Sequence, residues 1–154
     1  IFIGLMDGQP LEVFGGKAEL IKISKKLTSG RLVRNAKRAG ESKSIYDLHC
    51  GDESDPIIIR DVVKTFKNPT EGEFTRIISL ALRHGAPIQH TVEQLQKDEE
   101  SDMYSFSRVV ARVLKRYIKE GLKVKGKVCP ECGSDVHYTE GCLSCTKCLW
   151  SKCG

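Results

Sequence analysis

Six of the seven cysteines in this 154-residue chain lie within its last 26 residues. They occur as Cys129-Pro-Glu-Cys132-Gly, then as Cys142, Cys145 and Cys148 at intervals of three, and finally as Cys153. Two C-x-x-C turns supply four thiolates, which is the ligand set of a tetrahedral structural zinc site. A segment this short cannot bury enough apolar surface to fold without a crosslink. The pattern therefore predicts a zinc-stabilised module with two cysteines more than the metal needs.

The ligand pairs follow from the spacing of the cysteines. Cys129 and Cys132 form the first pair, because the proline and glycine of their motif suit a knuckle whose backbone amides point at the sulfur atoms. For the second pair, the first register uses Cys145 and Cys148, which leaves 12 residues after Cys132 for the hairpin of a zinc ribbon. A second register uses Cys142 and Cys145 and leaves nine residues. We favour the first register and keep the second as an alternative.

The two surplus cysteines depend on that choice. The first register leaves Cys142 over, and the second leaves Cys148 over. Cys153 is left over in both, and the neighbouring cation of Lys152 favours its thiolate, which is the nucleophile of disulfide exchange. The end of the chain therefore carries a candidate redox pair. His137 is an alternative metal ligand, although six cysteines make it unnecessary.

The overall composition is that of an ordinary globular protein. The chain is 40% apolar and 29% charged, with a formal net charge of +5 that permits a polyanionic partner without requiring one. No run of 18 apolar residues is present, so we expect no membrane span. Cysteines grouped as C-x-x-C indicate a reducing, cytoplasmic setting. Since the chain opens on a strand-like Ile-Phe-Ile, we expect it to be part of a longer polypeptide or to work with a separate chain.

The pattern of apolar residues predicts an α+β fold. Residues 1–15 read as a β-hairpin around Asp7-Gly8, a short helix is expected near 17–27, and strands are expected within 45–66. Three helices should follow, at about 68–85, 88–97 and 101–121. We predict three parts: an α+β domain at 1–120, a basic tether at 121–128 and the cysteine module at 129–154. In the α+β domain we expect the strands to pack against the three helices.

The first of these helices has the clearest signals. Thr70 is a candidate N-cap, and Glu73 three residues later would complete a capping box. A buried stripe is then expected at i, i+3, i+4 and i+7, formed by Phe74, Ile77, Ile78 and Ala81.

Three segments of the chain resemble one enzyme family. The segment from Glu140 to Gly154, which follows the Cys-Pro-Glu-Cys-Gly motif, resembles the C-terminal tail of adenosylcobalamin-dependent (class II) ribonucleotide reductases. The helical segment EFTRIISLALRHG, residues 73–85, is similar to a helix of the same family. The segment DGQPLEVF, residues 7–14, resembles the strand that opens the family's post-barrel domain. The matches lie at both ends and in the middle, so the resemblance covers nearly the whole chain.

The resemblance implies a redox role for the cysteine tail. In this family a radical reaction in a ten-stranded barrel reduces a ribonucleotide and leaves a disulfide in the active site. A mobile C-terminal dithiol reduces that disulfide and is renewed by thioredoxin. Cys153, with Cys142 or Cys148, occupies the matching positions. The chain would thus be the C-terminal part or a small subunit of such an enzyme, with the catalytic barrel and thioredoxin or a similar reductant as partners.

The chain also departs from the family pattern. It contains no barrel, no thiyl-radical cysteine and no cobalamin site, so adenosylcobalamin would bind only in a missing region or a partner chain. We do not expect this chain to reduce a nucleotide alone. Cys50, the remaining cysteine, is interpreted as structural. Leu149 stands where the family's tail is expected to have a glycine. A glycine at that position would help the second knuckle to form. The basic segment 25–43 matches no part of the family.

Two other functions stay open. A nucleic-acid-binding ribbon would need positive charge and an aromatic side chain near the module. The sequence supplies Lys123, Lys125, Lys127, Lys147, Lys152 and Trp150. Nucleic-acid binding would not need the surplus thiol pair, however. The third reading is a structural or regulatory subunit in which zinc only stabilises the fold.

Overall fold

The computed structural model describes residues 1–36, 40, 45–66, 68–98 and 100–153. Over these residues the chain is α+β, as the sequence predicts. It divides into two compact units, Ile1–Gly4 with Leu11–Leu80 and Leu5–Pro10 with Ala81–Gly154. None of the helices in this part of the chain has the length and apolar character needed to span a bilayer.

Strands lead, helices follow, and a second set of strands ends the chain. The elements are, in order, β1 (Phe2–Met6), β2 (Gln9–Phe14), β3 (Arg31–Asn35), β4 (Ile45–Cys50), β5 (Ile57–Ile59), α1 (Val62–Thr65), α2 (Pro69–Arg83), α3 (Ile88–Leu95), α4 (Phe106–Lys115), β6 (Lys123–Val128), β7 (Asp135–Thr139), β8 (Cys142–Cys145) and β9 (Ser151–Lys152).

A small aromatic core holds the first unit together. Phe14, Val62 and Phe66 are buried there. The phenyl ring of Phe14 lies 5.2 Å from the ring of Tyr46, measured between centroids. Strands β3, β4 and β5 form an antiparallel sheet in that order. Burial of the phenyl rings of Phe14 and Phe66 stabilises this unit, because each ring removes a large apolar area from water.

The predicted hairpin at the start of the chain is present as β1 and β2. Asp7 and Gly8 both have positive φ angles, 50° and 76°, as a two-residue type I′ turn requires. The end of β2 is tied to α2 through Ser79, whose buried hydroxyl accepts a hydrogen bond from the Val13 N–H at 2.9 Å.

The helix predicted near 17–27 is absent. Only a single 3₁₀ turn forms, at Ala18–Leu20. Ile21 and Ile23 are two residues apart, which is the spacing of an extended chain, so the segment offers no continuous apolar face to stabilise a helix. Within the basic segment 25–43, residues 31–35 form β3. Lys25 and Lys26 precede β3, and Lys37, Arg38 and Lys43 lie outside the described residues.

Helix α2 is present, but its start and its buried face differ from the prediction. Asn68 caps it, since its side-chain oxygen accepts from the Glu71 N–H at 3.3 Å and Pro69 takes the first helical position. The buried face carries Thr75, Ile78, Ser79 and Leu82. Ile77, which was expected to be buried, is 68% exposed. The stripe is therefore rotated from the one predicted, because small polar side chains that pair with backbone take two of the inner positions.

The second unit contains α3, α4 and the four-stranded antiparallel sheet β6–β7–β8–β9. Val92 of α3 and Val110 and Leu114 of α4 are almost fully buried. Helix α4 is shorter than the predicted 101–121. Asp102 caps a turn ahead of the helix by accepting from the Tyr104 N–H, and the helix ends at Lys115.

The segment predicted to be a basic tether is largely a strand. Residues 123–128 form β6, which pairs with β7. The ribbon also bonds to the helical part of the same unit: the Gly121 N–H donates to the Tyr138 carbonyl at 2.8 Å, and the Tyr138 hydroxyl donates to Glu93 Oε1 of α3 at 3.2 Å. Val124 is the single buried residue of β6, and the lysines on either side of it are exposed. The cysteine module is therefore part of a larger packed unit.

Candidate metal centre and disulfide pair

The first knuckle follows the end of β6. The Gly133 N–H donates to the Cys129 carbonyl at 2.9 Å, and the Cys129 N–H donates to the Ser134 carbonyl at 2.8 Å. These two bonds fold residues 129–134 into a tight turn that brings Cys132 back beside Cys129. Gly133 has a φ of 70°, a conformation that residues with a Cβ rarely adopt. The glycine of the Cys-Pro-Glu-Cys-Gly motif thus takes this conformation without strain.

The second knuckle joins β8 to β9. Cys145 ends β8, and its N–H donates to the Trp150 carbonyl at 2.8 Å, which closes the turn that carries Cys148. Leu149 has a φ of 61°, so a leucine occupies the left-handed conformation that a glycine would take without strain. Its side chain is 89% exposed. Leu149 therefore differs from the glycine of the family pattern in its side chain, but its backbone has the conformation that the glycine would adopt.

The two knuckles bring four sulfur atoms together. The Sγ atoms of Cys129, Cys132, Cys145 and Cys148 all lie within 4.8 Å of one another. The Cys129–Cys148 and Cys132–Cys145 distances are 3.4 and 3.5 Å, too long for a disulfide bond. A tetrahedral zinc with bonds of about 2.3 Å separates its sulfur ligands by roughly 3.8 Å. The four cysteines are positioned to bind a metal ion, and their geometry fits zinc.

The local hydrogen bonds prepare these thiols unequally. The hydroxyl and the backbone N–H of Ser134 stabilise the thiolate of Cys132 and lower its pKa to about 6. The Trp150 N–H lowers the pKa of Cys148, but bonds to the neighbouring thiols and desolvation outweigh it and raise the pKa to about 12. Four thiolates this close cannot all be charged without a cation among them. Metal binding would therefore displace protons from the cluster.

Ser134 and Trp150 were not identified as residues of the metal site from the sequence. Both act through backbone amides that point at sulfur, and a backbone amide carries no residue-specific signal. The hydroxyl of Ser134, two residues after a knuckle cysteine, is the one feature that could have been read in advance.

The two remaining tail cysteines are joined to each other. Cys142 and Cys153 form a disulfide with a Cα–Cα distance of 4.5 Å. Ser144 pairs with Ser151 across β8 and β9, and continuing that register outward places Cys142 opposite Cys153. A Cα–Cα distance of about 4.5 Å is that of a non-hydrogen-bonded pair in an antiparallel ladder. The strand pairing itself thus positions the two sulfur atoms.

This arrangement corresponds to the first of the two registers considered from the sequence. Cys142 lies outside the four-sulfur cluster, and Cys148 lies within it. Cys153 is exposed and Cys142 is half-buried, so the disulfide is reachable from solvent. His137 lies in β7 and is not one of the clustered residues. Cys50 ends β4 as a free thiol.

The cluster differs chemically from the disulfide. Soft thiolate ligands in a tetrahedral arrangement select zinc or iron–sulfur chemistry over the hard cations calcium and magnesium. A solvent-accessible disulfide between two strands is a substrate for thiol attack. One small sheet therefore combines a metal-binding geometry with a separate disulfide.

Comparison with known proteins places most of the chain in one family. The family described as NrdJ homologue C-terminal domain matches residues 1–119. No curated protein matches the sequence, and no solved structure matches it. The cysteine ribbon lies beyond the matched residues. The match supports the relation to class II ribonucleotide reductase that the tail and α2 suggested independently. The chain belongs to the family of NrdJ homologue C-terminal domains.

Proposed function

We propose that this chain is a redox module of an adenosylcobalamin-dependent ribonucleotide reductase. The Cys142–Cys153 pair passes reducing equivalents from thioredoxin, or a similar dithiol protein, to the disulfide left in the reductase active site. The four clustered cysteines hold zinc and support the hairpin that carries the pair. Adenosylcobalamin belongs to the catalytic barrel, in another chain or another part of this polypeptide.

One observation carries the proposal. In a chain of the NrdJ homologue C-terminal family, the two cysteines that the metal geometry does not use are paired in an accessible disulfide. A purely structural zinc ribbon needs four cysteines and has no use for a fifth and sixth. A relay needs a second pair that can be oxidised while the metal stays in place.

The fold changes how the relay is expected to work. The sequence suggested that residues 121–128 form a tether that swings the dithiol into the barrel, but 123–128 form strand β6. Cys153 instead follows the exposed terminal strand β9, so the dithiol is presented at an edge of the second unit. Thioredoxin and the reductase barrel would meet it there in turn.

The test is turnover by a matching class II reductase barrel that lacks its own cysteine tail. With this chain and thioredoxin, the barrel should complete many turnovers. Cys153→Ser should abolish multiple turnover and leave the first turnover unchanged, because the first uses barrel thiols that are already reduced. Cys50→Ser is the matched control and should behave as wild type. Sustained thioredoxin-driven turnover with Cys153→Ser would show that the tail is structural.

Nucleic-acid binding is the second candidate, favoured by one feature of the structure. Strand β6 exposes Lys123, Lys125 and Lys127 along one edge of the ribbon. Lys123, however, is paired with Asp135 at 2.6 Å, which neutralises part of that charge. DNA affinity that falls steeply with salt would favour this candidate over the relay.

A further inference from the structure

We propose that the four-cysteine site and the Cys142–Cys153 pair are thermodynamically coupled: bound metal holds the pair in its disulfide form, and the disulfide tightens the metal site. The inference deepens the proposed function and rests on its metal-binding part. It makes Cys145 and Cys148 positioning residues for the redox pair, in addition to ligands.

The coupling follows from how the disulfide and the cluster share one hairpin. The disulfide closes a loop of sequence separation 11, and this loop contains both Cys145 and Cys148. The other two clustered cysteines, Cys129 and Cys132, precede β7 in the sequence and lie outside this loop. Metal binding therefore fixes the closed end of the hairpin against the rest of the sheet, while the disulfide fixes its open end.

Little else holds the open end. Strand β9 has two residues, paired to β8 as Leu143 with Lys152 and Ser144 with Ser151. Ser151, Lys152 and Cys153 are all exposed, so no apolar burial anchors them. A strand this short and this exposed is marginal by itself. Its persistence beside β8 depends on the anchored turn at one end and the disulfide at the other.

The disulfide also removes a competing set of ligands. Cys142 and Cys145 form a second C-x-x-C pair, which offers the metal an alternative to Cys145 and Cys148. In the oxidised chain the sulfur of Cys142 is bonded to Cys153 and cannot act as a thiolate ligand. Oxidation thus leaves a single complete set of four thiols within 4.8 Å of one another. Because an alternative ligand set can only add to the zinc affinity of the reduced chain, this loss opposes the tightening, and we expect closure of the hairpin to outweigh it.

Coupling of this kind is reciprocal. Reduction breaks the Cys142–Cys153 bond with two electrons and two protons from two glutathione molecules, which leave as glutathione disulfide. If the disulfide tightens zinc binding by some factor, zinc must make the disulfide harder to reduce by the same factor. Typical couplings between sites are about 5- to 150-fold, and we expect a value in that range.

The first measurement is the redox midpoint in glutathione buffers, under anaerobic conditions and with Cys50→Ser in every protein. The zinc-loaded chain is compared with a variant that carries serine at all four clustered positions. This variant is needed because metal-free thiols would form other disulfides. Alkylation and mass spectrometry then count the reduced Cys142–Cys153 pair. We expect the zinc-loaded chain to need a 5- to 150-fold higher ratio of [GSH]² to [GSSG] for half-reduction, and added zinc to leave the variant unchanged.

The second measurement is zinc affinity by chelator competition. Oxidised chain should bind zinc more tightly than chain reduced with a phosphine, by the factor found in the first measurement. Cys142→Ser with Cys153→Ser has neither the disulfide nor the alternative ligand, and should bind zinc with the same affinity in either buffer. Equal midpoints with and without the metal site, or equal zinc affinities of oxidised and reduced chain, would overturn the coupling.

These results are separable from the relay itself. Coupling is measured on this chain alone, whereas the relay is measured as turnover with a barrel and thioredoxin. A coupled but inactive chain would refute the relay only, and an active chain with equal midpoints would refute the coupling only.

Discussion

At the scale of single residues, the ribbon shows how backbone conformation constrains side-chain choice. Leu149 sits at a φ of 61°, where a Cβ costs about 1–2 kcal/mol, and its exposed side chain gains almost nothing from burial. Gly133, at the matching place in the first knuckle, avoids that cost. The second knuckle is therefore the more strained of the two.

Leu149→Gly should consequently stabilise the ribbon. The strain energy that a Cβ costs in the left-handed conformation is larger than the extra conformational entropy that a glycine loses on folding. We therefore expect a gain of about 0.5–1 kcal/mol in the free energy of unfolding. Denaturant unfolding of the zinc-loaded chain measures it. Leu143→Gly is the matched control, since Leu143 lies within β8 and should lose stability. A loss of stability in Leu149→Gly would show that its side chain makes a contact that matters.

Ser134 should control the acidity of the exposed cluster thiol. In metal-free chain that keeps the Cys142–Cys153 disulfide, under anaerobic conditions, iodoacetamide should label Cys132 with a midpoint near pH 6, because the hydroxyl and the backbone N–H of Ser134 stabilise its thiolate. Ser134→Ala keeps the backbone N–H and loses the hydroxyl, so the midpoint should move upward. Labelling is followed by peptide mass spectrometry. An unchanged midpoint would assign the low pKa to the backbone alone.

At the scale of elements, Tyr138 links the ribbon to α3. Burial, and then the carboxylate of Glu93, raise the pKa of its phenol to about 12. The hydroxyl donates to Glu93, so the folded chain favours the protonated phenol. Tyr138→Phe removes this hydrogen bond and should cost about 1 kcal/mol of stability at neutral pH.

The pH dependence of this contribution has a definite sign. The unfolded phenol ionises near pH 10 and the folded one near pH 12, so the wild type should lose stability relative to Tyr138→Phe as the pH rises through that interval. Tyr104→Phe is the control for removal of a phenol hydroxyl, because the Tyr104 side chain is 74% exposed. Parallel pH profiles for wild type and Tyr138→Phe would mean that Tyr138 does not tie the ribbon to α3.

Local signals in the sequence predicted some elements well and others badly. The hairpin at Asp7-Gly8 and the first knuckle could be predicted because a glycine at a positive φ is required there and leaves a direct mark. The strand β6 could not be predicted, because its lysines are typical of a solvated linker. Its single buried residue, Val124, can be explained only by the residues that it packs against, and these are not apparent from the sequence. Ile77 was placed on the wrong face of α2 because Thr75 and Ser79 are buried through backbone hydrogen bonds that apolar periodicity does not register.

At the scale of the whole molecule, the family match and the ribbon lie in different stretches of the chain. Residues 1–119 carry the match, whereas the metal-binding geometry and the disulfide begin at Cys129. The boundaries between the two compact units do not coincide with the end of the family match, since they fall within β1, β2 and α2. The ribbon belongs to the same unit as α3 and α4. The position of the disulfide is therefore determined by the fold of the whole second unit and not by the ribbon alone.

The central claim is that four cysteines hold a metal while two others form a separate redox pair. Native mass spectrometry of the oxidised chain, before and after mild phosphine reduction without chelator, tests it most directly, with alkylation to identify the thiols released. We predict one zinc per chain in both samples and two new thiols, at Cys142 and Cys153 only. Stoichiometric loss of zinc on reduction, or new thiols at Cys129, Cys132, Cys145 or Cys148, would contradict the account.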